Sequence, residues 1–459
     1  MSAEPESGGR GPGMGSEGPR LSRLAAPIVA ENLVRTSLLA IDQLMLYAFA
    51  TDAAAAMSAS SQLGFFLQLL YQMPAQGASI LIAQKLGAGR REEAESFALG
   101  GIVLVGLFSV AVSLAYASLA GPVLSLFSLE PEVHSLATSF LTIYGGLSVF
   151  MALNIAQAAT LRAWGHSRDV MVANIAALVC TIGGNYLALF GPFGLPILGL
   201  RGVALSNVAG QLVAFAILSL AMRRRGIRPK WRNIGRLPRS VVRGILEIGL
   251  PTAGENISYN LSQVTITGIV STLGTAPLAA YGLVLSIVRY VYMFGVSIGA
   301  AAQIRVGWLV GAGRPELAKS SMWRWLAAGA TAAFALALSL NLFKGFLVPL
   351  FTTDPTIDGL VGSVFALSIV YEPGRSMNTV VIPGLKGAGD VRFPVLMGMI
   401  FNWSVAVTGA FVVGKLLGFG LVGVFAAMAS DEWIRGLIIL RRWHGGRWMR
   451  GLKARETPD

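Results

Sequence analysis

Twelve times between residues 24 and 440 the chain passes from a polar connector into an apolar run of about 20 residues or more, the length a helix needs to cross the hydrocarbon of a bilayer. The runs fall at roughly 24–49, 57–84, 96–119, 136–159, 169–190, 197–222, 244–272, 278–304, 320–343, 357–384, 391–414 and 418–440. This pattern predicts an all-α membrane protein with twelve transmembrane helices. The opening stretch "MSAEPESGGRGPGMGSEGPR" has almost nothing to bury and reads as a disordered tail over 1–20. It also lacks the apolar core of a cleavable signal peptide.

Composition agrees with the pattern: 54% of the residues are hydrophobic and only 13% charged, about half the charged share of a soluble globular chain. The net charge of +13 invites a nucleic-acid reading until the placement of the 36 Lys and Arg is considered. Most lie in the two tails and in the loops after the even-numbered runs. The opposite loops hold Arg201, Lys344 and Lys415, and Arg35, Arg289, Arg375 and Arg435 lie within runs. That alternation is the positive-inside rule, which expects both termini in the cytoplasm and a multi-pass protein of the cytoplasmic membrane. The basic loop 223–243 is then a topology anchor against anionic lipid, and no nucleic-acid partner is expected. The single cysteine, Cys180, excludes an intramolecular disulfide.

Sliding the chain by 224 residues brings many features into register at once. "PIVAEN" at 27–32 meets "PTAGEN" at 251–256, and "GAGRREEA" at 87–94 meets "GAGRPELA" at 311–318. "LRAWGHSR" at 161–168 meets "LKGAGDVR" at 385–392, and Asn154 meets Asn378. After a three-residue deletion, "GLRGV" at 199–203 meets "GLVGV" at 420–424. An almost gap-free shift linking all of them is a duplication. Each copy has six spans, so both enter the membrane from one side, the parallel-repeat arrangement. The expected units are an N-terminal lobe (21–222), the linker 223–243, a C-terminal lobe (244–440) and a basic tail (441–459). The GAGR turns lack the Gly-Lys-Ser/Thr ending of a phosphate loop, so their glycines are expected to end helices.

A charge at the centre of a spanning helix costs about 2.5–3.5 kcal/mol, so those inside the runs need a reason. At about 100° per residue, Glu31, Arg35 and Asp42 lie within about 40° of one another on one stripe of the first span. Glu31 and Arg35, at i and i+4, are expected to neutralise each other, whereas Asp42 has no local base and needs another partner, a proton or a metal cation. Ile266 occupies the repeat position of Asp42, so this acid belongs to one half only. In the second half, Glu255 repeats Glu31 and shares a face with Tyr259 and Ser262. Glu372 and Arg375 lie beside an "EPG" expected to interrupt the tenth helix, and Asp431 and Arg435 are expected to form a structural pair. Asn32, Asn154, Asn256, Arg289 and Asn378 complete the polar set expected around a central substrate cavity.

With these residues in hand, the chain resembles the multidrug and toxic compound extrusion (MATE) family. The likeness rests on twelve spans in halves of six, on "GLKGAGDVRFP" at 384–394, on GAGR after the second and eighth spans, and on "GLRGVALSN" at 199–207. It covers about residues 22–445. The resemblance implies a V-shaped pair of six-helix bundles exporting amphipathic compounds, often cationic, against inflow of H⁺ or Na⁺. No cofactor beyond the coupling ion and no partner beyond small substrates and lipid is implied, and the monomer is the expected functional unit. Carried over residue by residue, Asp42 matches the family's coupling aspartate, and Thr181, Asn185 and Asn207 match the groups that complete its site. An amide at Asn185 stands where many members carry a second carboxylate. One Asp with amide and hydroxyl oxygens could still hold Na⁺, which favours oxygen ligands. Glu255 lies a turn before the seventh-span acid of another branch, and Glu372 and Arg375 do not reproduce that branch's tenth-span aspartate.

Other classes fit less well. The three histidines, His134, His166 and His444, have no metal-ligand spacing, and no serine or cysteine sits in a nucleophile motif, so the chain is not expected to be an enzyme. A channel would need a filter or pore-lining rings. A flippase for lipid-linked or anionic precursors is the nearest alternative, since Arg35, Arg289 and Arg375 could attract an anionic headgroup.

Overall fold

The computed structural model describes residues 19–125, 127, 129–229 and 237–449, without the side chains of residues 37–40 and 193. Nearly all of the expected tail 1–20, the centre of the linker 223–243 and the last part of the tail 441–459 lie outside the described residues. The first half consists of α1 (Leu21–Phe49), α2 (Thr51–Gly87), α3 (Arg91–Leu124), α4 (Pro131–Gly146), α5 (Val149–Ala163), α6 (Ser167–Phe190) and α7 (Gly199–Arg224). The second consists of α8 (Arg239–Ser271), α9 (Thr275–Gly311), α10 (Pro315–Leu342), a single turn α11 (Lys344–Leu347), α12 (Pro355–Gly387), α13 (Arg392–Leu416) and α14 (Gly420–His444). No strand occurs among the described residues.

Every one of the twelve apolar runs is helical, the fourth as the pair α4 and α5, bent by 47°. Among the described residues, eight helices are long and apolar enough to cross a membrane, or nine with the bent pair counted as one span. The long helices outside that set, α8, α12 and α14, carry Glu255, the Glu372–Arg375 pair, and Asp431, Glu432 and Arg435. Polar chemistry is thus concentrated in three spans of the second half. Large apolar side chains such as Leu44, Leu107 and Phe346 stand about two-thirds exposed on the outside, a surface suited to lipid rather than water.

The expected interruption at "EPG" is corrected by the structure: α12 runs unbroken through Pro373. A proline is tolerated inside a spanning helix where a neighbour satisfies the loosened turn, and here the Trp433 indole on α14 donates to the Val370 carbonyl at 2.8 Å. The break falls instead in the first half, between α4 and α5, where Tyr71 Oη and Ser113 Oγ meet Ser148 Oγ at 2.8 and 2.9 Å. In α13 the helix widens to π-helical turns over Asn402–Val407 and Ala410–Leu416.

The GAGR turns behave as expected. Gly89 and Gly313 follow α2 and α9 with φ of 74° and 70°, a left-handed conformation that costs glycine little. At this basic end the halves interlock. Gln84 Nε2 donates to the Gly387 carbonyl at 2.8 Å, and Trp308 Nε1 donates to the Ala163 carbonyl at 2.9 Å. A 224-residue shift converts Gln84 into Trp308 and Ala163 into Gly387, so the two bonds are repeat equivalents with donor and acceptor halves exchanged. Gly87 lies against the Trp308 carbonyl and Gly311 against the Gln84 carbonyl, closer than any side chain would permit. Leu24, Ala25, Ala83, Ala301 and Ile304 pack as a small apolar seam between the halves there.

Candidate functional site

The acids of α1 are read by α6. Asn174 Nδ2 donates to Glu31 Oε1 at 2.6 Å, and eleven residues on, Asn185 Nδ2 donates to Asp42 Oδ1 at 3.0 Å. Eleven residues are about three helical turns, so neighbouring helices present an acid–amide contact twice in the same register. What each acid does with its charge differs. Glu31, 7% exposed, is clamped by Arg162 at the end of α5, whose Nη2 lies 2.6 and 2.7 Å from the two carboxylate oxygens. Asp42 is half-buried and has no basic partner among the described residues. The Oδ1 of Asn185, on the side chain that holds it, is buried without a hydrogen-bond partner.

The expected pairing of Glu31 with Arg35 is therefore corrected. Arg35 lies about 40° around the helix from Glu31 and turns to α2, donating to Gln68 Oε1 at 2.8 Å, while Arg162 reaches Glu31 from another helix. A base from a different helix can approach the carboxylate end-on, whereas an i+4 neighbour must fold back along its own helix. Asn32 bridges the halves through Ser297 Oγ at 3.0 Å. Thr181 is buried on α6 against Gly210 of α7, and Asn207 on α7 donates to its own helix at the Val203 carbonyl, 2.9 Å away. The structure thus joins Asp42 to Asn185 directly; Thr181 lies one turn before Asn185 on α6, and the Asn207 amide on α7 is turned to its own helix.

The second half repeats the clamp with other residues. Lys386 Nζ lies 2.5 Å from Glu255 Oε2, and both pairs are separated by 131 residues. Where Asn174 supports Glu31, the repeat position is Gly398, and a Cβ there would lie 3.2 Å from Glu255 Oε1. Asn256, one residue on, is half-buried.

Deeper in each half an asparagine ties two spans together. Asn154 Nδ2 donates to the backbone and side-chain oxygens of Gln211, both at 2.8 Å. Asn378, its repeat partner, donates in the same way to Glu432, at 2.8 and 2.7 Å. Glu432 is the counterpart of Gln211 after the three-residue deletion, so one joint is built once with an amide and once with a carboxylate. Arg435 Nη2 then lies 2.9 Å from Glu432 Oε2 and 2.9 Å from Asp431 Oδ2. Arg375 Nη1 is 3.3 Å from Glu372 Oε1, with its guanidinium 4.1 Å above the Tyr292 ring and 5.4 Å from that of Tyr371. Tyr259 on α8 is within electrostatic reach of both arginines. Arg289 stands exposed on α9.

Arg162, Asn174, Lys386, Gln211 and Glu432 escaped the sequence reading. A signal for the clamp was present: the 224-residue shift aligns Arg162 with Lys386 as surely as it aligns Glu31 with Glu255.

The family model described as MatE matches residues 27–187 and again 251–412, once in each half. An uncharacterized transporter, YisQ, of Bacillus subtilis is 32% identical over 89% of this chain and 90% of its own length. A probable multidrug resistance protein, NorM, of Thermotoga maritima is 24% identical over 95% of this chain and 94% of its own. Among solved structures, an outward-facing multidrug resistance MATE family transporter superposes with a TM-score of 0.85 at 17% identity, covering 95% of this chain and 96% of that one. A transporter from Pyrococcus furiosus, described as having a binding pocket of reverse polarity, superposes at 0.80 and 17% identity, covering 94% and 96%. Two matches to one family, one for each copy of the repeat, agree with the twelve helical runs: the chain belongs to the MatE family of membrane transporters.

Proposed function

We propose that the protein exports amphipathic organic compounds across the cytoplasmic membrane by antiport with H⁺ or Na⁺, its halves rocking about a central site, with both termini cytoplasmic. The observation that carries this reading is Asp42. It is a carboxylate in a spanning helix that no base among the described residues neutralises, held by an amide whose own oxygen is left bare, and so able to take a cation and give it up. Multidrug resistance in the names of the NorM relatives supports an amphipathic cargo. The bonds at the basic end, Gln84 to Gly387 and Trp308 to Ala163, support a state closed on the cytoplasmic side.

In proteoliposomes containing only this protein, an imposed pH or Na⁺ gradient should drive ethidium flux, and Asp42→Asn should lose at least about tenfold of that drive, the equivalent of about 1.4 kcal/mol. Coupling at the wild-type level in Asp42→Asn would overturn the assignment. A second reading, a flippase for anionic or lipid-linked precursors, is favoured by the exposed guanidiniums of Arg35 and Arg289. Complementation of a lipid-precursor defect without ethidium flux would select it.

A further inference from the structure

We propose that Asp431 carries a dissociable proton, so that the second half holds a proton site of its own, remote from Asp42. Asp431 is 2% exposed, Glu432 and Arg435 each 6%. One guanidinium nitrogen, Arg435 Nη2, serves both carboxylates at 2.9 Å. Glu432 is further held by Asn378, whereas Asp431 has a single hydrogen bond, and its Oδ1 is buried with no partner. Asn378 Oδ1, on the side chain that binds Glu432, is likewise buried and bare.

Two carboxylates on one guanidinium leave one negative charge without compensation in a water-poor interior. Such a charge costs several kcal/mol, and a proton on the less well held carboxylate removes it. The nearby cation does not close the account, because Arg375 faces its own acid, Glu372. The other ionisable groups facing the cluster are Tyr259 from α8, Tyr292 from α9 and Tyr371 from α12. From α13 there is no ionisable side chain between Arg392 and Lys415 at its two ends. Among the described residues no three acids or other ligand types converge as a metal site would require. The ion that fits is H⁺, bound as an O–H at Oδ1 and released to water when the cluster opens.

The first half supplies the control. The residues at the positions of Glu372, Arg375, Asp431, Glu432 and Arg435 are Ser148, Met151, Gly210, Gln211 and Ala214, all neutral, although the asparagine joint between the helices is the same. The joint therefore does not need charge. Five charged side chains placed there in one half only indicate a use other than holding helices together.

The use of this proton in transport rests on the antiport reading; its presence does not, and the test reads presence. Full-length protein carrying Asp42→Asn, in lipid nanodiscs, is followed by infrared difference spectroscopy between neutral and alkaline pH. A C=O stretch of a protonated carboxylic acid is expected at neutral pH, lost in Asp42→Asn/Asp431→Asn. It should also be lost in Asp42→Asn/Glu432→Gln, where Arg435 keeps one carboxylate and Asp431 ionises. That second variant installs the residue with which the first half already builds the same asparagine joint. No such band in Asp42→Asn, or a band that survives in either double variant, would overturn the proposal. Ethidium flux driven by a pH gradient in the same variants measures the antiport reading separately and leaves the spectral result as it stands.

Discussion

The two halves agree at the basic end and part company further in. Glu31 with Arg162 and Glu255 with Lys386 are the same device at equivalent positions, as are the reciprocal bonds of Gln84 and Trp308. Deeper, the repeat puts Ile266 where the first half has Asp42, Glu432 where it has Gln211 and Arg375 where it has Met151. Duplication begins with identical halves, so what both retain is what each needs to stand and to meet the other. What only one carries reflects a task the halves divide. On the proposed antiport reading, the paired clamps and the interlocking end would serve needs common to both halves, and the one-sided charges would serve the coupling.

The comparison is tested hardest where its two members are unequal. Arg162→Ala would leave Glu31 buried with the Asn174 amide as its hydrogen-bond partner and Arg35 only within electrostatic reach, and breaking a buried ion pair by removing one partner costs about 3–5 kcal/mol. Lys386→Ala strips an acid that is less enclosed: the side chain of Glu255 is 15% exposed against 8% for Glu31, and glycine stands where the supporting amide would be. A loss of about 1–3 kcal/mol is expected there. Chemical or thermal unfolding in one detergent measures both. Equal losses would mean that the clamps are equally buried in practice, and that Asn174 adds nothing to Glu31.

Next in size is the asymmetry at Asp42. If its acid were only a relic of the repeat, its mirror position would accept one. Ile266 is fully buried in the second half's core with Val270, Tyr281 and Phe425. Ile266→Asp should cost about 3 kcal/mol or more, because no amide or base waits there to receive the carboxylate. Asp42→Asn, by contrast, exchanges one hydrogen-bonding side chain for another at a half-exposed place, and its stability should change by less than about 1 kcal/mol. A tolerated Ile266→Asp would show that a lone acid is no sign of function in this fold.

Much of this was legible in the residues alone, for definable reasons. Apolar run length located every long helical run, because bilayer thickness sets helix length, and the repeat appeared because a 224-residue shift needs no structure to see. Contacts between helices distant in sequence were harder. Arg35 looked like the partner of Glu31 because helical spacing is visible along a chain, while the approach of Arg162 depends on how α5 ends beside α1. Pro373 suggested a break, since nothing in the neighbourhood of "EPG" reveals that Trp433, sixty residues on, supports the loosened turn. Glu432 passed unnoticed beside Asp431 for the same reason: its importance lies in facing Asn378, a relation that the three-residue deletion hides from a simple shift.

The smallest expected effect concerns the interlocked end. Gln84→Leu and Trp308→Phe each remove one donor while keeping most of the side chain's bulk, leaving the Gly387 or Ala163 carbonyl to water as the halves separate. Each bond is worth about 1 kcal/mol net, and the two touch different carbonyls. Their effects should therefore add. Each variant shifts the equilibrium away from the state closed at the basic end about fivefold, and the pair about thirtyfold, at about 1.4 kcal/mol per factor of ten. Thiol labelling of a cysteine placed at Ser297, in a Cys180→Ser background, reads that opening through the Asn32–Ser297 bridge. If the double variant labels no faster than either single one, the two bonds form a single cooperative latch, and the exchange of donor and acceptor between the halves is a coincidence of packing rather than two independent closures.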